Sequence, residues 1–524
     1  MVWRHADCRA AGGGLMRQQS AAYAPFPAVR SVDFRVTFEL IDTEANGNAT
    51  VTSSGYESFT APENLLNDVS EAAGKWATLE NNLWALDGTF ENLPASDAGD
   101  NGWWSEAVSG ADAKFSEDSL PEIYFTFSAP VSTIGFSLFF DEKAEQFPTK
   151  IRFVATGADG KTISDKTVET SGASQIINMP IKDYTALQIS FLETFLPFRR
   201  VKMQEIIFGI IQRFDKDNLA SAKLKYGADL AAETFPSREL TFTFDNSDKK
   251  YNLLNPTGIY EYLQDRQEIT AAVRIGGEDV DMGKFYFTAA AAKDSAVTAQ
   301  ITANDIVLEL DGETFDTGSN TTKTLSLAVA DVLAGKNVQT SFEGDLGAAV
   351  VGMTIPTGTT KREAIRLLAQ AAMCSVWVDR DGVMRFANLS VAETAASELT
   401  ADELYSYDGV SVSAKVDAVV VKSQNPFVDG AEEQVYIAGT SGAAKTISNP
   451  CVTAAAGQAV AEWLLSCYKR RKSYSVKNRC DPAVEVADTI KIADAYGQSG
   501  NAAVTEISIS YDGGVYANTS AIGG

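Results

Sequence analysis

Strand-like alternation begins at Val32 and dominates the first third of the chain. Apolar residues recur at every second position in several short stretches. These positions are Phe34, Val36, Phe38 and Leu40; Ile123, Phe125 and Phe127; Phe136, Leu138 and Phe140; Ile151 and Phe153; and Leu187, Ile189 and Phe191. A period of two buries one face of a strand. Turn sequences such as Gly157-Ala158-Asp159-Gly160 separate the stretches, and no long helical period intervenes. The pattern predicts a β-sandwich of jelly-roll type over residues 31–210.

A second region of alternation follows and indicates a small β-barrel over residues 219–312. Its apolar positions are Leu240, Phe242 and Phe244; Val273 and Ile275; Phe285 and Phe287; and Val297, Ala299 and Ile301. Each group has the spacing of a strand with one buried face.

The period changes to that of helices over residues 313–405. Leu325, Val329 and Val332 share one helix face, and a second helix is predicted after the capping box of Thr360 and Glu363. Its apolar positions are Ile365, Leu368, Ala369 and Ala372. The stretch 375–387 then has the pattern of a hairpin turned at Asp381-Gly382. We therefore expect an α+β insert here.

Residues 406–524 are predicted to form a second β-barrel that includes a helix near 452–468. Strands are expected at 410–421 and near Ser473, Thr489 and Val504. The helix carries Val460, Trp463, Leu464 and Cys467 on one face and precedes the basic run Lys469-Arg470-Arg471-Lys472. The predicted fold class is mainly β and multidomain: a sandwich, then two barrels with an α+β insert.

Composition agrees with a folded chain of several domains. The chain has 524 residues, of which 45% are hydrophobic and 22% charged. Residues 1–30, rich in Ala, Gly and Arg, indicate a flexible leader. No run of about 18 apolar residues exists, and the start lacks the apolar core of a secretion signal. We expect synthesis in the cytoplasm and no membrane insertion.

Charge and residue counts exclude several kinds of chemistry. The chain has 69 acidic and 44 basic residues, a formal charge of −25, which repels phosphate backbones and argues against a nucleic-acid partner. The single histidine, His5, lies in the leader, so mechanisms that need a histidine base or ligand in a folded domain are removed. The five cysteines show no paired spacing, and we expect neither disulfides, metal nor cofactor.

Two short motifs resemble ligand loops but are predicted to be turns. The run 157–162 lacks the first glycine of a phosphate loop. Asp379-Arg380-Asp381-Gly382 has two carboxylates in the style of a calcium loop but lacks its remaining ligands. A catalytic pair of carboxylates cannot be located among 69 acidic residues, so a glycan hydrolase stays only as a third alternative.

Aromatic density between residues 76 and 104 suggests sugar recognition. Four tryptophans (76, 84, 103 and 104) lie among Asn and Asp side chains, and flat aromatic faces beside hydrogen-bonding groups bind sugar rings. The predicted glycan-binding residues are Trp84, Asp87, Trp103 and Trp104. The alternative is that Trp76 and Trp84 belong to the core and that the 103–104 pair covers an edge of the sandwich.

The sandwich region resembles discoidin-like (F5/8 type C-like) modules found in tail proteins of phages and prophages of Gram-positive bacteria. The resemblance rests on the segments 75–88, Gly102-Trp103-Trp104-Ser105, 125–128 and 197–209. It implies a jelly roll of a kind that commonly binds glycans. Some such modules bind calcium, but no calcium ligands can be assigned here.

Residues 220–524 are similar to the baseplate-hub or tail-tip family. The segments that carry this similarity are 238–246, 255–260, 282–286, 303–305, 481–488 and 511–514; Ala487 stands where a glycine is expected. The family implies two β-barrels with an α+β insert, a homotrimer at the end of the tail tube, and other tail proteins as neighbours: distal tail or tube, tape measure and tail fibres. It implies no catalytic residue. We therefore expect a structural virion subunit that presents a glycan-binding module to the host surface. The main alternative is a free-standing bacterial adhesin.

Overall fold

The computed structural model describes residues 31–523 apart from 68–71, 73, 79, 81–87, 94–98, 253–266, 277, 293–296 and 494–498. The described residues form two compact units. Residues 38–212 make up the first unit, called here the sandwich unit. Residues 31–37 and 213–523 make up the second, called the hub unit.

The sandwich unit is built almost entirely of antiparallel strands. Its elements are β1 (Val32–Ile41), α1 (Thr43–Asn48), β2 (Thr50–Ser53), β3 (Trp103–Trp104), β4 (Glu122–Phe140), β5 (Pro148–Thr156), β6 (Thr162–Glu169), β7 (Ser174–Thr194) and β8 (Lys202–Phe214), with 3-10 turns at Pro62–Leu66 and Glu117–Ser119. The first and last of these strands, β1 and β8, extend beyond residues 38–212. The long strand β4 pairs with β7 along most of its length, and on its other side with β2 near its start and with β8 near its end. Its register shifts between Thr126 and Gly135 bend it between these partners.

The core of the sandwich unit is aromatic. The alternating positions expected from the sequence are buried, and Phe125, Phe136 and Phe208 meet there ring to ring. The turn expected at 157–160 joins β5 to β6, with Gly160 at φ 75°, a conformation that favours glycine.

The hub unit begins with an antiparallel sheet of β9 (Leu219–Gly227), β10 (Glu239–Asp245), β11 (Glu268–Ile275), β12 (Glu278–Ala292) and β13 (Thr298–Asn304). The pairing order is β9, β10, β13, β12 and β11. Leu240, Phe242 and Phe244 of β10 are completely buried, as their alternation predicts.

The remaining elements are helical and β segments in mixed order. They are α2 (Ile306–Asp311), β14 (Thr314–Phe315), β15 (Thr322–Thr324), α3 (Leu325–Val332), β16 (Thr340–Phe342), β17 (Val350–Gly352), β18 (Thr359–Thr360), α4 (Lys361–Ala371), β19 (Ser375–Val378), β20 (Met384–Ala387), β21 (Ser397–Leu399), β22 (Leu404–Val412), β23 (Ala418–Ser423), β24 (Gln434–Gly439), β25 (Ala444–Ser448), α5 (Gly457–Lys469), β26 (Lys472–Asn478), β27 (Thr489–Ala493), β28 (Ser499–Tyr511) and β29 (Val515–Gly523), with 3-10 turns at Leu346–Ala348 and Ala401–Glu403.

A second sheet consists of β21, β27, β28, β29, β26 and β22 in pairing order. It is joined edge to edge to the first sheet, because β28 also pairs with β9 from Glu506 to Tyr511. The fold class is mainly β and multidomain, as predicted.

The α+β body differs from its predicted extent. One hydrophobic core contains α2, α3, α4, β19 and β20 together with β23, β24 and α5. The helix near 452–468 was predicted to belong to the second barrel, but Val460, Ala461 and Leu464 of α5 pack into this core. The stretch 410–421, expected as one strand, is divided between β22 in the second sheet and β23 in the α+β body. An apolar stripe shows that a face is buried but not against which partner.

Of the local predictions within this body, the Thr360 cap and the hairpin at 381–382 are confirmed, whereas the capping box is not formed. Thr360 caps α4 by accepting a hydrogen bond from the Glu363 amide (3.2 Å), whereas the Glu363 carboxylate binds Arg366 instead of closing a capping box. The hairpin of β19 and β20 turns at Gly382, where φ is 75°.

Candidate functional site

The predicted aromatic surface is not formed by Trp103 and Trp104. Both lie on β3, which pairs with β8, and their side chains are 0% and 2% exposed. Trp103 stacks on Phe191 at 5.8 Å, and its indole nitrogen donates to the Ser53 hydroxyl at 2.9 Å. A ring enclosed in this way has no free face for a sugar. The alternative had the pair covering an edge of the sandwich, whereas the structure buries both rings. Trp84 and Asp87 lie outside the described residues.

Trp104 forms one wall of a buried ionic cluster. The Lys202 ammonium lies 3.7 Å from the centre of the Trp104 ring and 3.6 Å from Oε1 of Glu80. The Lys202 and Glu80 side chains are only 1% and 3% exposed. Burial lowers the pKa of Lys202 to about 8, although the charge of Glu80 acts in the opposite direction. The other Glu80 oxygen accepts from the Arg200 amide at 2.9 Å and from the side-chain amide of Gln146.

The exposed aromatic side chains of this region are different ones. Tyr56, Phe195 and Phe198 are each more than a third exposed. Tyr56 bridges to Ser105, and the Phe198 amide donates to the Gly110 carbonyl at 3.3 Å, so both lie on loops around the segment 105–110. These rings were not predicted, because the density of tryptophans pointed to other residues. Phe198, inside the resemblance segment 197–209, was the available signal.

In the hub unit the turn 379–382 supplies a buried arginine to a junction between three parts of the fold. Arg380 is 2% exposed. Its guanidinium donates to the Tyr226 hydroxyl on β9 (2.9 Å), to the Val484 carbonyl (2.8 Å) and to the Pro482 carbonyl. Its Nε lies 3.4 Å from the Glu485 carboxylate. One side chain of the α+β body therefore links the first sheet to the loop that precedes β27.

Arg238, directly before β10, completes this junction from the first sheet. Its guanidinium donates to the Asp379 carbonyl (3.0 Å) and to the Met282 carbonyl, and it lies over the Phe285 ring at 4.8 Å. Its backbone amide donates to the Asp305 carboxylate at 3.0 Å. We call Tyr226, Arg238, Asp379, Arg380 and Glu485 the Arg380 junction.

Two neighbours show how closely the junction is packed. A Cβ atom placed on Gly283 would lie 2.7 Å from the Arg380 carbonyl oxygen, and φ there is 100°, so glycine suits this position on both counts. Asp488 is fully buried and accepts from the Glu485 amide at 2.8 Å. Burial raises the pKa of Asp488 to about 7.

The contacts of the Arg380 junction stabilise the fold. The guanidiniums are in contact with carbonyl oxygens, a phenol and carboxylates of the chain itself, and fork-shaped donors of this kind fix geometry strongly. The Asp379 carboxylate binds the amides of Asp381 and Val383 and the Arg385 side chain (2.6 Å), so within the described turn it supports the loop. The turn prediction for 379–382 is confirmed, while the role of Arg380 was not anticipated.

Among the described residues, no group of three or more His, Cys, Asp or Glu side chains is arranged to hold a metal. Within the same residues, no helix is long and apolar enough to cross a membrane. Two surface grooves of the described residues contain a carboxylate. One, of about 230 Å³, lies between β6 and β7 and has Glu169 as its carboxylate. The other, of about 400 Å³, lies between β24 and α5 and has Glu462. Neither groove contains the pair of carboxylates that glycoside hydrolysis requires.

No protein-family model and no curated protein matches the chain. Among solved structures it is similar to a 43 kDa tail protein of prophage MuSo2 from Shewanella oneidensis, with 16% identity, a TM-score of 0.42, and coverage of 59% of this chain and 93% of that one. It is also similar to a tail protein from Neisseria meningitidis MC58, with 11% identity, a TM-score of 0.44 and the same two coverages.

A third similarity concerns CpGH89CBM32-5 from Clostridium perfringens, solved in complex with GalNAc-β-1,3-galactose. It has 14% identity and a TM-score of 0.19, and covers 31% of this chain and 96% of that one.

Proposed function

We propose that the protein is a structural, non-catalytic subunit of the tail tip or baseplate of a phage or phage-like particle. It forms the hub at the end of the tail tube, and its sandwich unit presents a glycan-binding surface to the host cell. The protein is made in the host cytoplasm and is incorporated into the virion.

The Arg380 junction is the observation that carries the structural part of the proposal. A hub must keep its sheets in fixed relation while the tail transmits force. In the hub unit, buried guanidiniums of Arg238 and Arg380 join the first sheet, the α+β body and the 479–488 loop. The resemblance of the segments within 220–524 to tail-tip proteins, drawn from the sequence, also supports the proposal.

The proposed assembly is a homotrimer around the tail axis. Its neighbours are the distal tail or tube protein, the tape measure and the tail fibres. The chain's charge of −25 keeps unassembled copies apart until these neighbours complete the contacts.

The test is the copy number and position of the full chain in purified particles. Quantitative mass spectrometry should find three copies per particle, and antibody labelling should mark the end of the tail. One or six copies per ring contradicts the trimer. Absence from particles, with the protein on the bacterial surface instead, supports the adhesin alternative.

The glycan-binding part of the proposal rests on the exposed rings Tyr56 and Phe198 instead of the tryptophan pair. Exposed aromatic rings beside polar loop groups provide stacking and direction for a sugar. Arg200 orders these loops, because its guanidinium donates to the Ser105 carbonyl (2.8 Å) and pairs with Glu57 (2.7 Å).

This part is tested in the full chain with Phe198→Ala and Tyr56→Ala. We expect at least tenfold weaker binding to purified host cell-wall glycan, with an unchanged melting temperature, because exposed rings contribute little to folding. Ile163→Ala, an exposed apolar residue on β6, is the matched control. Unchanged binding in both ring variants overturns this surface. Release of reducing sugar from the glycan by the wild type, lost in Glu169→Gln or Glu462→Gln, supports the hydrolase alternative.

A further inference from the structure

The backbone of Phe198 has a conformation that bulky residues rarely adopt. Its φ is 58°, in the left-handed region, where the Cβ atom of an L-residue lies too close to the following carbonyl oxygen. The ring is not enclosed in the core, because it is 39% exposed. Strained backbone that surrounding contacts enforce is concentrated at functional sites, so the conformation of Phe198 points to a function of its ring.

Two buried hydroxyl groups hold the loop that carries this ring. Ser109 and Thr194 are each 2% exposed, and their hydroxyl oxygens are 2.8 Å apart. The Thr194 hydroxyl donates to the Leu196 carbonyl, inside the loop, at 2.8 Å. The Ser109 hydroxyl accepts from the amide of Arg199, the next residue after the ring, at 3.0 Å. The hydroxyl pair is therefore bonded to the chain on both sides of Phe198.

Backbone contacts complete this arrangement. The Ser109 amide donates to the Arg199 carbonyl at 2.9 Å, and the Phe198 amide donates to the Gly110 carbonyl at 3.3 Å. The Arg199 guanidinium donates to the Phe198 carbonyl at 3.2 Å. Both polar groups of the Phe198 backbone are thus hydrogen-bonded, so a change to negative φ would break contacts with the neighbouring segment.

We propose that Ser109 and Thr194 are positioning residues, which hold Phe198 in its strained conformation and thereby display the ring for stacking on a sugar. This inference rests on the proposed glycan-binding surface and adds the residues that determine its shape. A loop that is already ordered loses less conformational entropy when the ligand binds, so the hydroxyl pair should contribute to affinity without touching the sugar.

The positioning role is tested in the full chain with Thr194→Val, which keeps the shape of the side chain but removes its hydroxyl. Binding to purified host cell-wall glycan should weaken about tenfold, and Ser109→Ala should have a similar effect. Thr194→Ser, which keeps the hydroxyl, should bind like the wild type.

Thr133→Val is the matched control for a merely structural effect. Thr133 is also buried, at 1% exposed, and its hydroxyl donates to the carbonyl two residues further on, that of Gly135, at 2.8 Å. The same substitution there should lower the melting temperature without changing the glycan affinity of the folded protein.

The strain is tested without a ligand, at two exposed positions of the loop where substitutions do not impair folding. Glycine relieves left-handed strain, so Phe198→Gly should melt about 2–4 °C above Phe198→Ala. Phe195 is 48% exposed and does not have a positive φ. At that position the order should reverse, with Phe195→Gly melting below Phe195→Ala, because glycine has more conformational freedom to lose on folding.

The outcomes separate this inference from the function on which it rests. Loss of binding in Phe198→Ala, with full affinity in Thr194→Val and Ser109→Ala, overturns the positioning role but keeps the glycan surface. An equal loss of affinity in Thr133→Val, or the same order of glycine and alanine at positions 198 and 195, also overturns the positioning role alone. Unchanged binding in all of these variants, Phe198→Ala included, overturns both.

Discussion

The two units bury a cation in opposite ways. In the sandwich unit the Lys202 ammonium lies against one ring and one carboxylate, Trp104 and Glu80. In the hub unit the Arg380 guanidinium donates to three oxygens on two separate parts of the fold and also pairs with Glu485. An ammonium acts as a point charge, whereas a guanidinium is a planar fork that fixes several partners at once. The comparison indicates that Arg380 holds the first sheet and the loop before β27 together, whereas Lys202 only compensates the charge of Glu80.

The largest expected effect follows from breaking the Arg380 junction. Arg380→Met leaves the Glu485 carboxylate, the Tyr226 hydroxyl and two carbonyls without this donor, and removal of one partner of a buried pair costs roughly 3–5 kcal/mol. We expect the hub-unit unfolding transition of the full chain to lose stability at the upper end of that range. Calorimetry or denaturant titration measures it.

Arg274→Met is the matched control, because Arg274 forms a partly exposed pair with Asp279 at 3.7 Å. It should change stability by less than about 0.5 kcal/mol. Equal effects of the two substitutions would remove the special role of Arg380.

The next effect belongs to the sandwich unit. Trp103→Ala removes a fully buried ring that stacks on Phe191 and should destabilise the unit by about 3 kcal/mol, within the usual range for large core truncations. The exposed Phe198→Ala should leave the same transition in place. A stable Trp103→Ala variant that loses glycan binding would instead restore the original sugar-binding hypothesis for the tryptophan pair.

The sites of Trp103 and Arg380 also show which features of the fold can be predicted from the sequence. Alternation identified the buried face of β10, and the Thr360 cap located α4, because both signals are local. The burial of Trp103 depends on pairing with Met203, and that of Arg380 on Tyr226, 154 residues away in the chain. A polar turn with the sequence Asp-Arg-Asp-Gly is usually solvated. The neighbouring sequence gives no sign that the arginine of this turn is buried. For the same reason the buried stripe of α5 was detected but assigned to the wrong body.

A smaller expected effect is the pH dependence that Asp488, beside the Arg380 junction, gives to the stability of the fold. The folded-state pKa of Asp488 is raised to about 7, above the unfolded value near 3.8. The folded state therefore keeps a proton that the unfolded state releases, and the contribution of Asp488 to stability falls as pH rises from about 4 to about 7. Asp488→Asn should remove that fall.

The measurement is the difference in unfolding free energy between Asp488→Asn and the wild type at several pH values. Asp512→Asn, on the tight turn between β28 and β29, serves as the control with the same chemical change. A constant difference between pH 4 and pH 7 would show that the pKa of Asp488 is not raised in the folded state.

The smallest expected effect tests the other side of the comparison. Lys202→Met replaces the ammonium by an apolar chain of similar length, while Arg200 and Gln146 still bind Glu80. At pH 7 we expect a change within about 1 kcal/mol, because replacing a buried ion by a well-packed apolar side chain is often close to neutral when its partner stays compensated.

The pKa of Lys202, lowered to about 8 from 10.5, gives the stability a pH dependence of opposite sign to that from Asp488. Between about pH 8 and pH 10.5 Lys202 loses its proton in the folded state but keeps it in the unfolded state, so the stability of the wild type rises with pH. Lys202→Met should lack this rise. Lys161→Met, on the exposed turn before β6, keeps the wild-type profile. A loss from Lys202→Met as large as that from Arg380→Met would mean that the lysine, too, holds the fold together.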